Sequence, residues 1–207
     1  MTGAGTMLAQ GQPPLILASQ SRARQAVLAG AGIVFEAMPA ELDERAVELE
    51  SGLTSPQEVA DCLARAKASA VSALYPGRYV IGADQTLALG ARRFSKPADR
   101  TAAAEQIAAL TGNTHELHAA VAIVLDRQVL FSHVSTARMT MRPLSRDTID
   151  AYLTEAGDTV LGSVGAYQLE RLGVHLFERI EGDYFTILGM PLLPLLAFLR
   201  SRDCLRF

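Results

Sequence analysis

Apolar runs of strand length alternate with capped segments of helical period along the whole chain, and this alternation constrains the fold more than any other feature. Leu15 to Ala18 is apolar, breaks at Ser19, Gln20 and Ser21, and passes into a helical stretch at Arg24 to Leu28 that Gly30 and Gly32 stop. Ile33 to Ala37 reads as a second strand, and Met38 to Thr54 as acidic and irregular. Ser55, Pro56, Gln57 and Glu58 then start a helix: a Ser cap, Pro where no amide partner is needed, and Glu reaching back as a capping box. Its apolar face continues through Val59, Leu63, Ala66 and Ala70 to about Leu74, and Tyr75, Pro76 and Gly77 form a turn. Tyr79 to Ala83 is a buried strand that delivers Asp84 and Gln85 at its C-terminal edge. Thr86 to Leu89 and Arg92 to Phe94 suggest a hairpin around Gly90, ending at Lys96 and Pro97.

Asp99 to Leu110 is helical and closes at Gly112. His115 to Leu125 and Gln128 to Met141 are long strands around a turn at Asp126 and Arg127. Ser145 to Ala156 is a further capped helix, with Asp147 in its first turn. Val174 to Ile180 and Tyr184 to Leu188 read as a hairpin over Glu181, Gly182 and Asp183, and Pro191 opens the last helix. Helices interleaved with strands and three hairpins give an α/β domain whose central sheet is mixed and flanked by helices. With 207 residues and no composition shift, one domain over 14–207 is expected, behind a loose N-terminal tail over 1–13.

Composition narrows the partners. At 49% hydrophobic and 20% charged residues, the chain has the apolar material for a sizeable core. Its 19 basic and 22 acidic residues give a net charge of -3, so it lacks the broad basic field of a nonspecific nucleic-acid binder. Any polyanion must be held by a local cluster or through a metal. Cys62 and Cys204 are too few for a disulfide framework or a zinc site and read as two buried thiols in a reducing compartment. Neither an export signal nor a membrane span is apparent, since Ile187 to Leu199 is interrupted by Pro191 and Pro194 and is shorter than the ~20 apolar residues a bilayer needs. A cytoplasmic protein is the expectation.

The usual phosphate signatures are missing: there is no G-x-x-x-x-G-K-[ST], and Gly30 with Gly32 lacks the third glycine of a dinucleotide loop. His115 and His118, on one strand, read as structural. Charged residues at element ends are more telling. Ser19, Ser21 and Arg24 stand at a strand-to-helix junction, where free amides, hydroxyls and a guanidinium suit an anion, or where a Ser simply caps the helix. Lys67, Lys96 and Glu44, taken singly, read as solvated charges. Asp84 differs, because a carboxylate directly after a largely apolar strand is expensive unless it binds something.

Several short stretches, in order, resemble the Maf family of nucleoside triphosphate pyrophosphatases. They are L-A-S-Q-S-R-A-R (Leu17 to Arg24), F-E (Phe35, Glu36), D-E (Asp43, Glu44), A-R-A-K-A (Ala64 to Ala68), G-A-D-Q (Gly82 to Gln85), K-P (Lys96, Pro97), L-T-G-N-T-H (Leu110 to His115) and G-M-P-L (Gly189 to Leu192). The resemblance implies a Maf/ITPase-like fold, a homodimer, and hydrolysis of a nucleoside triphosphate between its α and β phosphates with a divalent cation, Mg²⁺ or Mn²⁺. It makes Asp84 the proton acceptor, assigns Ser19, Arg24, Lys67 and Lys96 to the phosphates, and makes Glu44 and Asp84 the hard oxygen ligands of the cation. A second acidic pattern, Glu41 and Glu44 followed by Glu58 and Asp61, matches the metal motif of all-α (MazG-like) pyrophosphatases but is split by the helix start at Pro56.

Within that family, base choice looks tied to the positions occupied here by Ala23, Gln85 and Glu170. Gln85 and Glu170, with L-F-E-R-I-E-G (Leu176 to Gly182), side with the 7-methyl-GTP branch, and a carboxylate can accept from both guanine donors. Ala23 stands where that branch carries an aromatic, and the chain has no Trp. The alternatives are a dTTP- and UTP-preferring pyrophosphatase of the same family, or a non-catalytic nucleotide-binding regulator of cell division that uses the same cations without needing Asp84 as a base.

Overall fold

The computed structural model describes residues 7–207. In chain order it contains β1 (Leu15–Leu17), α1 (Arg22–Gly30), β2 (Phe35–Ala37), α2 (Glu44–Ser51), α3 (Pro56–Ser72), β3 (Val80–Leu89), β4 (Arg92–Phe94), α4 (Arg100–Leu110), β5 (Thr114–Leu125), β6 (Gln128–Met141) and α5 (Arg146–Ala156). Three 3-10 segments (Gly157–Gly162, Val164–Ala166, Leu172–Leu176) lead to β7 (Phe177–Glu181), α6 (Tyr184–Ile187) and α7 (Leu192–Ser201). The sheet runs β2-β1-β3-β5-β6-β7, with β4 on β3. It is mixed, as expected: β1 is parallel to both β2 and β3, whereas β4 and β7 pair antiparallel with β3 and β6.

The chain forms two compact units, and β3, β5 and β6 each contribute to both. Of the described residues, the first contains 7–85, 119–135 and 188–207. Its β1 and the start of β3 are fully buried at Leu15, Ile16, Leu17, Val80 and Ile81, which is why they read as unbroken apolar runs. α3 lays a stripe of small residues, Ala60 and Ala64, on Ala120 and Ala122 of β5. The expected tail falls in two parts. Residues 1–6 lie outside those described, whereas Leu8 is buried and bridges to Leu205, and the Ala9 amide donates to the Cys204 carbonyl at 2.9 Å.

The second unit comprises residues 86–118 and 136–187. α4 and α5 enclose an apolar core with Leu87, Leu117, Met139 and Met141 from the strands. His115 belongs to this core: its Nε2 pairs with the Tyr167 hydroxyl at 2.7 Å, and its ring packs against those of Tyr167 and Phe177, which also touch each other. His118 is also buried and bonds Thr136.

Four expectations need correction. The acidic stretch after Met38 contains a helix, α2, because the Asp43 carboxylate accepts from the Arg45 and Ala46 amides and caps it. The strand ending at Ala83 and the hairpin arm from Thr86 are one strand, so Asp84 lies within β3 rather than at its edge. Tyr184 to Ile187 is a helical turn, because the Asp183 carboxylate accepts from the Thr186 amide and hydroxyl, and β7 pairs with β6 instead. Finally, Cys204 is buried but Cys62 is only half-buried; both are free thiols.

Candidate active site

Close approach of a helix to a strand builds the site. A Cβ on Gly82 of β3 would lie 2.8 Å from both the backbone nitrogen and the Cβ of Ala68, and against the Ala64 carbonyl, so only glycine lets α3 lie this near. Two residues along β3, on the same face, stands Asp84; one residue before Ala68 stands Lys67. The Lys67 ammonium donates to Asp84 Oδ1 at 2.6 Å and pairs with Glu44 Oε1 at 2.9 Å. Lys67 and Asp84 are about nine-tenths buried as side chains, at 11% and 10% exposure, while Glu44, the first residue of α2, is 52% exposed.

Arg24 approaches the same strand from α1, which Ser21 caps by accepting from the Arg24 amide. The Arg24 Nε donates to the Gly189 carbonyl at 2.9 Å, and Nη1 donates to the Ala83 carbonyl at 2.7 Å and to Ser19 Oγ at 3.3 Å. Ser19 is buried, and its Oγ also accepts from the Ser21 amide.

Burial pushes the Asp84 carboxyl above the ordinary carboxylate range; Lys67 and Arg24 pull it back and the Glu44 charge adds to the rise. Burial likewise lowers the Arg24 guanidinium, against the pull of Asp84 and Glu44. Burial thus raises the proton affinity of Asp84, with two cations at hand to hold its charge when it is ionised.

Among the described residues no group of three or more His, Cys, Asp and Glu side chains could enclose a metal ion. Two carboxylates do reach one cationic point, since a single ammonium lies within 3 Å of both Glu44 and Asp84. That pair suits a hard divalent cation that takes its remaining ligands from phosphates and water, as Mg²⁺ commonly does.

Of the residues expected from sequence, the first unit brings together Ser19, Arg24, Glu44, Lys67 and Asp84; Gln85 follows Asp84 in β3 and Ala23 precedes Arg24 in α1, both half-buried. Lys96 and Glu170 belong to the second unit and are exposed there. Lys96 follows β4 beside the buried Pro97, and Glu170 stands with Tyr152, Glu155, Arg171 and His175 on the wall of a cavity of about 460 Å³. Gly82, the Ala83 carbonyl and Gly189 were not singled out from sequence. The signals were a glycine interrupting an apolar strand and one opening G-M-P-L.

The fold is a mixed-sheet α/β one, and its first unit holds a buried carboxylate, Asp84, beside the cations Lys67 and Arg24. The match to known proteins makes this specific: residues 14–202 fit the family model described as Maf-like protein. A nucleoside triphosphate pyrophosphatase of Nitrobacter hamburgensis is 66% identical over 192 residues, covering 93% of this chain and 95% of its own. One from Rhodopseudomonas palustris is 62% identical over 195 residues, covering 94% and 96%. A 7-methyl-GTP pyrophosphatase of Rhizobium etli is 55% identical over 191 residues, covering 91% and 96%. The chain belongs to the Maf-like protein family.

Proposed function

We propose that the chain is a nucleoside triphosphate pyrophosphatase that hydrolyses the α-β phosphoanhydride, releasing a nucleoside monophosphate and pyrophosphate. The observation that carries this reading is Asp84, buried in β3 and held by Lys67, which also holds Glu44. Relatives named for this activity match the chain over nearly its full length. Asp84 takes the proton of the attacking water, and its raised affinity for a proton fits that role. Lys67, Lys96 and the Ser19 hydroxyl hold phosphate oxygens, with Arg24 contributing the donors its backbone contacts leave over. Glu44 and Asp84 would hold Mg²⁺ or Mn²⁺, which supplies charge neutralisation on the phosphates when bound.

Gln85 and Glu170 favour a guanine base, with 7-methyl-GTP the substrate that a cationic base beside a carboxylate suits. The relative named 7-methyl-GTP pyrophosphatase supports that preference, and Ala23 in place of an aromatic weighs against it. Pyrophosphate release measured over GTP, 7-methyl-GTP, dTTP and UTP with Mg²⁺ and Mn²⁺ tests both levels. Faster turnover of dTTP and UTP would overturn the guanine preference alone. Tight nucleotide binding with no metal-dependent release from any of them would replace catalysis with a regulatory binding role.

A further inference from the structure

We infer that Arg24 is a positioning residue, which sets Asp84 by clamping the backbone carbonyls of Ala83 and Gly189, and that position 189 is glycine because the clamp occupies the space a side chain would need. This rests on the reading of Asp84 as the base.

An arginine grips a phosphate bidentately through a pair of its nitrogens, either Nε with Nη2 or Nη1 with Nη2. Here Nε is engaged by the Gly189 carbonyl and Nη1 by the Ala83 carbonyl and Ser19 Oγ. Each pair therefore has one member already committed. Nη2 alone stands outside these three contacts, enough for a single-ended contact and not for a fork.

The two carbonyls are informative in themselves. Because the peptide unit is planar, the Ala83 carbonyl shares its plane with the Asp84 amide, so a donor fixed on that oxygen fixes the orientation from which the Asp84 side chain departs. The Gly189 carbonyl belongs to the segment entering α7, so one guanidinium joins the catalytic strand to the C-terminal helix of the same unit. Gly189 has φ +80°, and a Cβ there would lie 3.2 Å from Arg24 Nε and 3.4 Å from Nη2. The positive φ by itself favours glycine, and a Cβ would in addition crowd the clamp.

The test uses the full-length protein, with steady-state pyrophosphate release and hydrogen exchange as readouts. Arg24→Lys should lower kcat about 100-fold, the scale of an ångström's misplacement of a reacting group, with KM within about threefold of wild type. Gly189→Ala should reproduce the loss of kcat with Arg24 intact, and the double variant should cost no more than either single one. Methylguanidinium should restore part of the turnover of Arg24→Gly, which a merely structural filler would not. Amide exchange over residues 83–84 and 188–192 should accelerate in Arg24→Lys while the rest of the first unit stays protected. A rise in KM at unchanged kcat, with Gly189→Ala close to wild type, would make Arg24 a phosphate grip and overturn the clamp. So would unchanged exchange in Arg24→Lys, a result that stands even if Gly189→Ala does not fold. Should Asp84→Asn retain turnover, the reading of the base fails, while the exchange experiment still decides the clamp.

Discussion

Asp84 and His115 are both polar residues buried on long strands of one sheet, at 7% and 0% exposure for the whole residue, yet their surroundings differ in kind. Around Asp84 the fold assembles Lys67 from α3 and Arg24 from α1, charges expensive to hold away from water, with the half-exposed Glu44 of α2 at their edge. Around His115 it assembles a phenol and an aromatic ring, and burial lowers its pKa to about 4, so that it stays neutral. A neutral polar group in a core needs one good partner and specifies packing. A charge maintained in a core needs several, and a group kept at that expense is the natural place to look for chemistry.

The widest separation between the two should appear on conservative replacement. Asp84→Asn keeps the shape and removes the proton acceptor, so pyrophosphate release should fall by about 1,000-fold or more, some 4 kcal/mol on the barrier. His115→Gln should leave turnover within a few-fold. Equal losses of turnover in the two variants would erase the distinction.

His115 should instead be visible in stability. In the unfolded chain its imidazole takes a proton near pH 6.5, but in the fold only near 4. Between those values the unfolded state holds the extra proton, so stability that is complete above pH 6.5 is lost as the pH falls, by about 3 kcal/mol once below 4. Urea unfolding at pH 7 and pH 4.5 should show the wild type losing ~2–3 kcal/mol more than His115→Gln over that interval. Equal losses would mean that the imidazole is not held neutral.

Much of this contrast could be read from residues alone, and the exceptions have local causes. β1, α3, β5, β6 and α5 are legible because each pairs an apolar face with a cap or turn within a few residues. α2 is not, since none of its residues is buried; its signals are the capping Asp43 and the stop at Gly52. β3 reads as broken at Asp84 because the partner that makes a carboxylate tolerable there, Lys67, comes from 17 residues earlier in the chain. α6 reads as a strand because Tyr184, Phe185, Thr186 and Ile187 all have β propensity, which the Asp183 cap overrides. Ser19, Arg24, Glu44, Lys67 and Asp84, which the fold brings together in the first unit, are grouped in the sequence only by the family resemblance, since Lys67 and Glu44 singly read as solvated charges. The commitment of Arg24 to backbone carbonyls is not legible at all, because carbonyl oxygens leave no mark in a sequence.

A smaller effect sharpens the neutral side. Tyr167→Phe removes only a hydroxyl, but it leaves the buried His115 Nε2 without its partner, and His115 Nδ1 already has none among the described residues. The expected loss is about 1–2 kcal/mol of stability at pH 7 by urea unfolding, with turnover kept within about twofold. Loss of turnover without loss of stability would show that this pair serves the reaction rather than the core.

The smallest effect probes the exposed edge of the charged side. Asp43 caps α2, and α2 carries Glu44, whose carboxylate shares Lys67 with Asp84. Asp43→Ala should cost about 1 kcal/mol, the usual value of a helix cap. Because α2 buries none of its residues, this loss has no core to propagate through, so it should appear as local fraying. Amide exchange over residues 44–51 should speed up about fivefold while the global melting temperature stays in place. Turnover should fall a few-fold, since Glu44 would leave Lys67 more often and the half-saturating Mn²⁺ concentration would rise. Faster exchange with turnover and Mn²⁺ dependence unchanged would separate Glu44 from the reaction and confine the charged centre to Lys67, Asp84 and Arg24.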